Sequence, residues 1–162
     1  MVRAQTAWKE GPPTSEEETR NKMNERRFFE EIWSNGNFAV MNDLVAPDYI
    51  DHDSNNSSAG PEGLRQEVSL YRNAFPDLVF VIEDVIAEGD KVVTRLTATG
   101  TQKRDLPGIP ATGKRVTISG MYITRYDEGR AAEAWVKFDF LGLYRQLGVI
   151  PTRGGAPTGV TR

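Results

Sequence analysis

The stretch from Ile118 to Gly148 constrains this chain most. Ile118 to Tyr126 and Ala132 to Phe138 are two strand-like runs separated by Asp127-Glu128-Gly129, and Gly142 to Gly148 follows as a short amphipathic segment. Alternating β-branched and aromatic residues broken by a glycine turn predict a long hairpin. Such a hairpin must cover one face with a second layer. The covered face then walls any pocket between the layers, and its side chains decide which chemistry is available there. Here that face reads apolar and aromatic.

The second layer is legible upstream. Ser15 followed by Glu16-Glu17-Glu18 is a helix start, with an N-cap serine, a glutamate three residues on, and acids where the helix dipole favours them. Met23, Phe28, Phe29, Ile32 and Trp33 recur at helical spacing up to Asn35-Gly36. A short helix is predicted from Phe38 to Val45, and an extended segment from Asp48 to Asp53. Pro61-Glu62-Gly63 opens another helix, with Leu64, Val68, Tyr71 and Phe75 on its apolar face. The period then changes. Leu78 to Ala87, Lys91 to Gly100, Arg115 to Tyr126 and Arg130 to Phe138 read as strands, and Asp139 to Leu147 as a terminal helix. Residues 103–114, with Pro107-Gly108, Pro110 and Gly113, form a loop between strands.

Helices first and a meander after predict one α+β domain: a cone-shaped, curved antiparallel sheet with the N-terminal helices on its concave face. The expected boundaries are a mobile tail over 1–15, the domain over 16–151 and a flexible tail over 152–162. The 162 residues suit one core. The absence of cysteine excludes disulfides and a thiolate nucleophile, and a single histidine excludes a multi-histidine metal site within one chain. A net charge of −3 argues against nucleic acid as a partner. No apolar run approaches the roughly 20 residues that span a bilayer, and the N-terminus lacks a basic-then-apolar signal. A cytoplasmic protein is the expectation.

Certain residues carry a family likeness. Tyr49-Ile50-Asp51-His52, Gly60-Pro61-Glu62-Gly63-Leu64, Gly100-Thr101-Gln102, Pro107 to Lys114, Glu133-Ala134-Trp135, Asp139 and Gln146-Leu147-Gly148 resemble, in order and spacing, the SnoaL-like polyketide cyclases of the nuclear-transport-factor-2-like superfamily. The resemblance runs from about Asn24 to Pro151. It implies a cone-shaped fold, no cofactor, and a homodimer packed through the open face of the sheet. In the aldol-type cyclases of the family an Asp on the last strand is the general acid/base, with a His on the preceding strand nearby. The register anchored on Asp139 and Gln146-Leu147-Gly148 puts Val136 at the Asp position and Tyr122 at the His position. Valine cannot move a proton. Tyrosine, with an ordinary pKa near 10, donates hydrogen bonds but is a poor base near neutrality.

Proton chemistry must then come from elsewhere. Asp51 and His52, in the densest titratable cluster, are the catalytic candidates, against the alternative of a solvated strand end. Trp33, Tyr49, Tyr122, Val136 and Phe138 are the candidate substrate-binding residues, and each could equally serve the core. Asp139 reads as an N-cap, Arg95 as one half of an ion pair, and Arg130 and Glu133 as solvated. An Asp-Arg-Asp set of the epoxide-hydrolase kind has no three inward positions.

The favoured reading is a cofactor-independent enzyme of polyketide, and thus antibiotic, biosynthesis. It would cyclise or isomerise a flat, mostly apolar aromatic or polycyclic substrate by acid/base catalysis. Two alternatives stand beside it. One is a cyclase-like hydroxylase working with a partner reductase, which suits the missing acid. The other is a non-catalytic ligand-binding module, since a fold does not determine a function.

Overall fold

The computed structural model describes residues 15–53 and 59–151. Residues 1–14, 54–58 and 152–162 lie outside the described residues, so the tails expected over 1–15 and 152–162 fall almost wholly beyond them. Helix α1 spans Glu16–Arg27. Its start is a capping box: the Glu18 N–H donates to Ser15 Oγ at 3.1 Å, and the Ser15 N–H to Glu18 Oε2 at 2.8 Å. Glu18 also accepts the Gly89 N–H at 2.9 Å, which ties the helix start to the turn after the first long strand. From Phe28 to Ser34 the helix widens into a π-helical segment that buries Phe28, Phe29, Ile32 and Trp33. The Arg72 guanidinium holds the end of that segment, donating to the Trp33 carbonyl at 3.0 Å and to the Ser34 carbonyl.

A 3₁₀ turn over Phe38–Val40 leads into α2, Met41–Leu44, and then β1, Val45–Asp51. Helix α3 covers Gly60–Ala74, and strands β2 Val79–Glu88, β3 Lys91–Thr101, β4 Arg115–Asp127 and β5 Arg130–Phe138 precede α4, Phe140–Leu147. The five strands run in the order β1-β5-β4-β3-β2. β2 to β5 form the predicted antiparallel meander. The segment predicted only as extended adds a fifth strand, parallel to β5, so the sheet is mixed. The reason is hydrogen bonding: β5 would otherwise leave an edge open beside the helices. The sheet is curved and does not close on itself.

The β4–β5 turn places both Glu128 and Gly129 at positive φ, 48° and 83°. That is the two-residue hairpin turn whose twist matches paired strands. A bulge between Arg125 and Tyr126 then shifts the pairing by one residue, and this sets Tyr122 opposite Val136 and Gly120 opposite Phe138. Asp139 caps α4 as expected, accepting the Gly142 N–H at 2.8 Å. Arg95 pairs with Asp84 at 2.6 Å on the exposed face. Among the described residues no helix is long and apolar enough to cross a membrane.

Candidate functional site

Between the concave face of the sheet and helices α3 and α4 lies a cavity of about 670 Å³. Its wall is a run of touching rings. Trp33 meets Phe80 at 5.2 Å between centroids, Phe80 meets Phe138 at 6.1 Å, and Phe138 meets Tyr122 at 6.0 Å. Tyr71, from α3, meets Trp33 at 6.2 Å. Edge-on and tilted contacts of this kind make a stiff wall suited to flat ligands. Phe138 can lie in the wall because its strand partner is Gly120: a methyl group there would overlap the ring.

Five of the residues singled out in the sequence meet in this cavity: Trp33, Asp51, Tyr122, Val136 and Phe138. Tyr49 is buried but is not part of the cavity surface. His52 faces away from it. Its ring stacks on Trp135 at 4.8 Å, and Nε2 lies 2.8 Å from Glu133 Oε2 on the exposed side of the sheet. Glu133 also accepts from Arg125 at 2.7 Å, so it is part of a three-residue network rather than simply solvated. The His52 contact, followed by the Arg125 one, lowers the Glu133 carboxyl pKa. The adjacent candidates Asp51 and His52 are thus separated, because successive residues of an extended chain point to opposite faces.

Asp53 and Glu67 also line the cavity. Asp53 completes the β1–β5 ladder with its side chain: Oδ2 accepts the Val136 N–H at 2.7 Å, and Oδ1 accepts from Lys137. The Lys137 contact and then the Val136 N–H hold its carboxyl below the usual range. A carboxylate stabilised in this way is a latch and a weak base. Asp51 accepts the Asp53 N–H at 2.9 Å, which fixes the turn at the strand end.

The tyrosines of the site stay protonated. Burial pushes Tyr122 well above the ordinary range and Tyr71 up to about 12, and the charges of Glu67 and Asp51 add to both shifts. They are hydrogen-bond donors at any physiological pH.

Beneath the cavity is a second polar cluster that the sequence reading missed. Glu25 is fully buried. Oε1 accepts from Thr94 at 2.8 Å and Thr124 at 3.1 Å, and Oε2 from the Tyr126 hydroxyl at 2.7 Å. Burial raises its pKa to about 7 against the three hydrogen bonds. A signal for both missed glutamates was available. Glu25 lies four residues before Phe29, and Glu67 four before Tyr71, so each sits on the apolar face of its helix. Among the described residues no group of His, Asp and Glu could hold a metal ion.

A curved, open sheet wrapped around an aromatic cavity defines the chain as a nuclear-transport-factor-2-like α+β cone. Within that class it belongs to the SnoaL-like polyketide cyclase family, whose model matches residues 24–147. It is 29% identical over 110 residues, covering 67% of each chain, to the aklanonic acid methyl ester cyclase DauD of Streptomyces sp. (strain C5). It is 31% identical over 107 residues, 65% of this chain and 72% of the relative, to the cyclase of the same description, DnrD, from Streptomyces peucetius. Among solved structures, TsrD from Streptomyces laurentii superposes with a TM-score of 0.76 at 29% identity, over 82% of this chain and 97% of that one.

Proposed function

We propose that this protein is a cofactor-independent cyclase or isomerase acting on a flat, mostly apolar polyketide-type substrate held in the cone. The observation that carries the reading is the placement of polar groups in an otherwise apolar cavity: the carboxylates of Asp51 and Glu67 share it with the hydroxyls of Tyr71 and Tyr122. In this reading Asp51 takes an acidic α-proton, and the C–H electron pair moves into an enolate. A tyrosine hydroxyl donates to the enolate oxygen, and the carbanion closes onto a second carbonyl, whose oxygen then receives the proton. Val136 contributes shape only, and His52 has no place in the proton transfer because it faces away.

The test is turnover of an aromatic polyketide ester by Asp51→Asn, Glu67→Gln and His52→Ala variants. A loss of at least 100-fold in kcat for Asp51→Asn with His52→Ala near wild type supports the reading. Full activity in Asp51→Asn sinks it. A second reading, hydroxylation with a partner reductase, is favoured by one observation: the last strand presents Val136 to the cavity in place of an acid. Oxygen incorporation in the presence of a reductase and NAD(P)H would select it. Saturable binding without product would select the binding module.

The convex face carries an apolar row running straight across the strands: Ile86 opposite Val93, Val93 opposite Ile123, and Ile123 opposite Trp135. This row is the proposed contact with a second copy of the chain, and charged residues flank it on both sides.

A further inference from the structure

The motif Gly100-Thr101-Gln102 with Pro107 to Lys114 has no part in the proton chemistry, yet it builds one wall of the cavity. Leu106, Pro107 and Ile109 line it. They sit on a miniature hairpin. Leu106 and Ile109 exchange two N–H···O bonds of 2.9 Å around Pro107-Gly108, where Gly108 has a φ of 75°.

What holds this hairpin in place is Gln102, a fully buried polar side chain. Its Nε2 donates to the Ile109 carbonyl at 3.3 Å, and its Oε1 accepts from the Thr112 N–H at 3.1 Å and the Thr112 hydroxyl at 2.8 Å. The Gln102 backbone bonds Gly113 and Lys114, each at 2.9 Å. The near end of the hairpin is tied separately to α3: the Lys103 N–H donates to the Ala74 carbonyl at 2.8 Å, and the Arg104 guanidinium to the Asn73 carbonyl at 3.0 Å. Asp105 Oδ1 accepts the Ala111 N–H at 2.8 Å and closes the loop on itself. A mobile lid leaves its backbone groups to water; this segment spends them on fixed partners.

We propose that the 105–110 hairpin is a preformed wall, and that Gln102, which touches no ligand, is the positioning residue that sets the outer boundary of the cavity and so the bulk of ligand it admits. The inference rests on the reading that the substrate binds in this cavity. It explains why a buried amide sits behind an apolar wall: an amide can clamp a donor and an acceptor of the loop at once, which no apolar residue can do.

The loop carries its own reporters, since Lys103 and Arg104 precede the hairpin and Lys114 and Arg115 follow it. Trypsin should leave the native hairpin intact and cut the Gln102→Leu variant there at least tenfold faster. Equal cutting rates overturn the wall. The second arm is ligand binding, with 9,10-anthraquinone as the probe in equilibrium dialysis. Leu106→Trp, which thickens the wall, should weaken binding about tenfold in the native background and less than threefold alongside Gln102→Leu, where the hairpin can retreat. Equal penalties in the two backgrounds overturn the positioning role, because a merely structural residue would give additive losses. Failure of the native protein to bind the probe at all overturns the underlying reading of the cavity, and the protease arm then decides the wall alone. Should Gln102→Leu fail to fold, Gln102→Glu, which keeps the acceptor and loses the donor to Ile109, carries both comparisons.

Discussion

Tyr122 and Val136 are direct ladder partners across β4 and β5, and both side chains line the cavity. One wall position is therefore a donor that stays protonated, and its neighbour is an alkyl group. Placing a carboxylate at 136, a half-buried position, would set a charge beside Tyr122 and Phe138 in the apolar wall. Val136→Asp should lose about 1–3 kcal/mol of stability at pH 8. It should lose less at pH 5, where the new group can take a proton. Urea denaturation at both pH values checks this, and equal losses would mean that position 136 is solvated.

Glu25 should make the protein less stable as pH rises. Its folded pKa of about 7 exceeds the ordinary 4.5 because burial disfavours the charge. Between those values the folded state holds more protons than the unfolded chain, so stability declines with pH. The effect is fully present below about pH 4.5 and gone above about pH 7, with a total on the order of 3 kcal/mol. Denaturation midpoints from pH 4.5 to 8 should fall for the native protein and stay flatter for Glu25→Gln, which keeps an acceptor for Tyr126.

Gly120→Ala should strain the wall. The added methyl group meets the Phe138 ring, which must swing into the cavity or lift off the sheet. Overpacking of this kind costs about 1–3 kcal/mol. A lowered melting temperature together with weaker binding of a flat probe is expected. Unchanged values in both would show that the ring has room to move.

The order of elements, the hairpin turn and the inward set Trp33, Tyr122, Val136 and Phe138 were legible because period-2 and helical patterns assign faces directly. The pairing of β1 was not, since a short segment shows no partner in its own residues. Nor was the outward turn of His52, because at a strand end the face depends on where the ladder stops, and here Asp53 takes over from the backbone. Glu25 and Glu67 were overlooked for a different reason: acids read as surface until the apolar face of the helix is drawn around them.

If the convex row is an interface, charge on it should separate the copies. Ile123→Lys sits midway along the row, between Val93 and Trp135. Sedimentation should show a dimer for the native chain and a monomer for this variant, with secondary structure retained. A native chain that sediments as a monomer at all concentrations would remove the interface.

The π-helical segment over Phe28–Ser34 means that the first helix carries one residue more than a regular spiral accommodates. Each helical residue turns the axis by about 100°. The surplus is what lets Glu25, upstream, face the floor beneath the cavity while Trp33, downstream, faces its wall. Deleting exposed Glu30 would remove the surplus and let the helix relax to ordinary winding, with Glu25 and Trp33 still on the faces they hold now, because seven steps of about 100° bring them to nearly the same side. The wide turn thus lets the helix gain or lose one residue while the cavity keeps its shape, and two relatives with the same lining residues but a helix one residue apart here would present the same cavity.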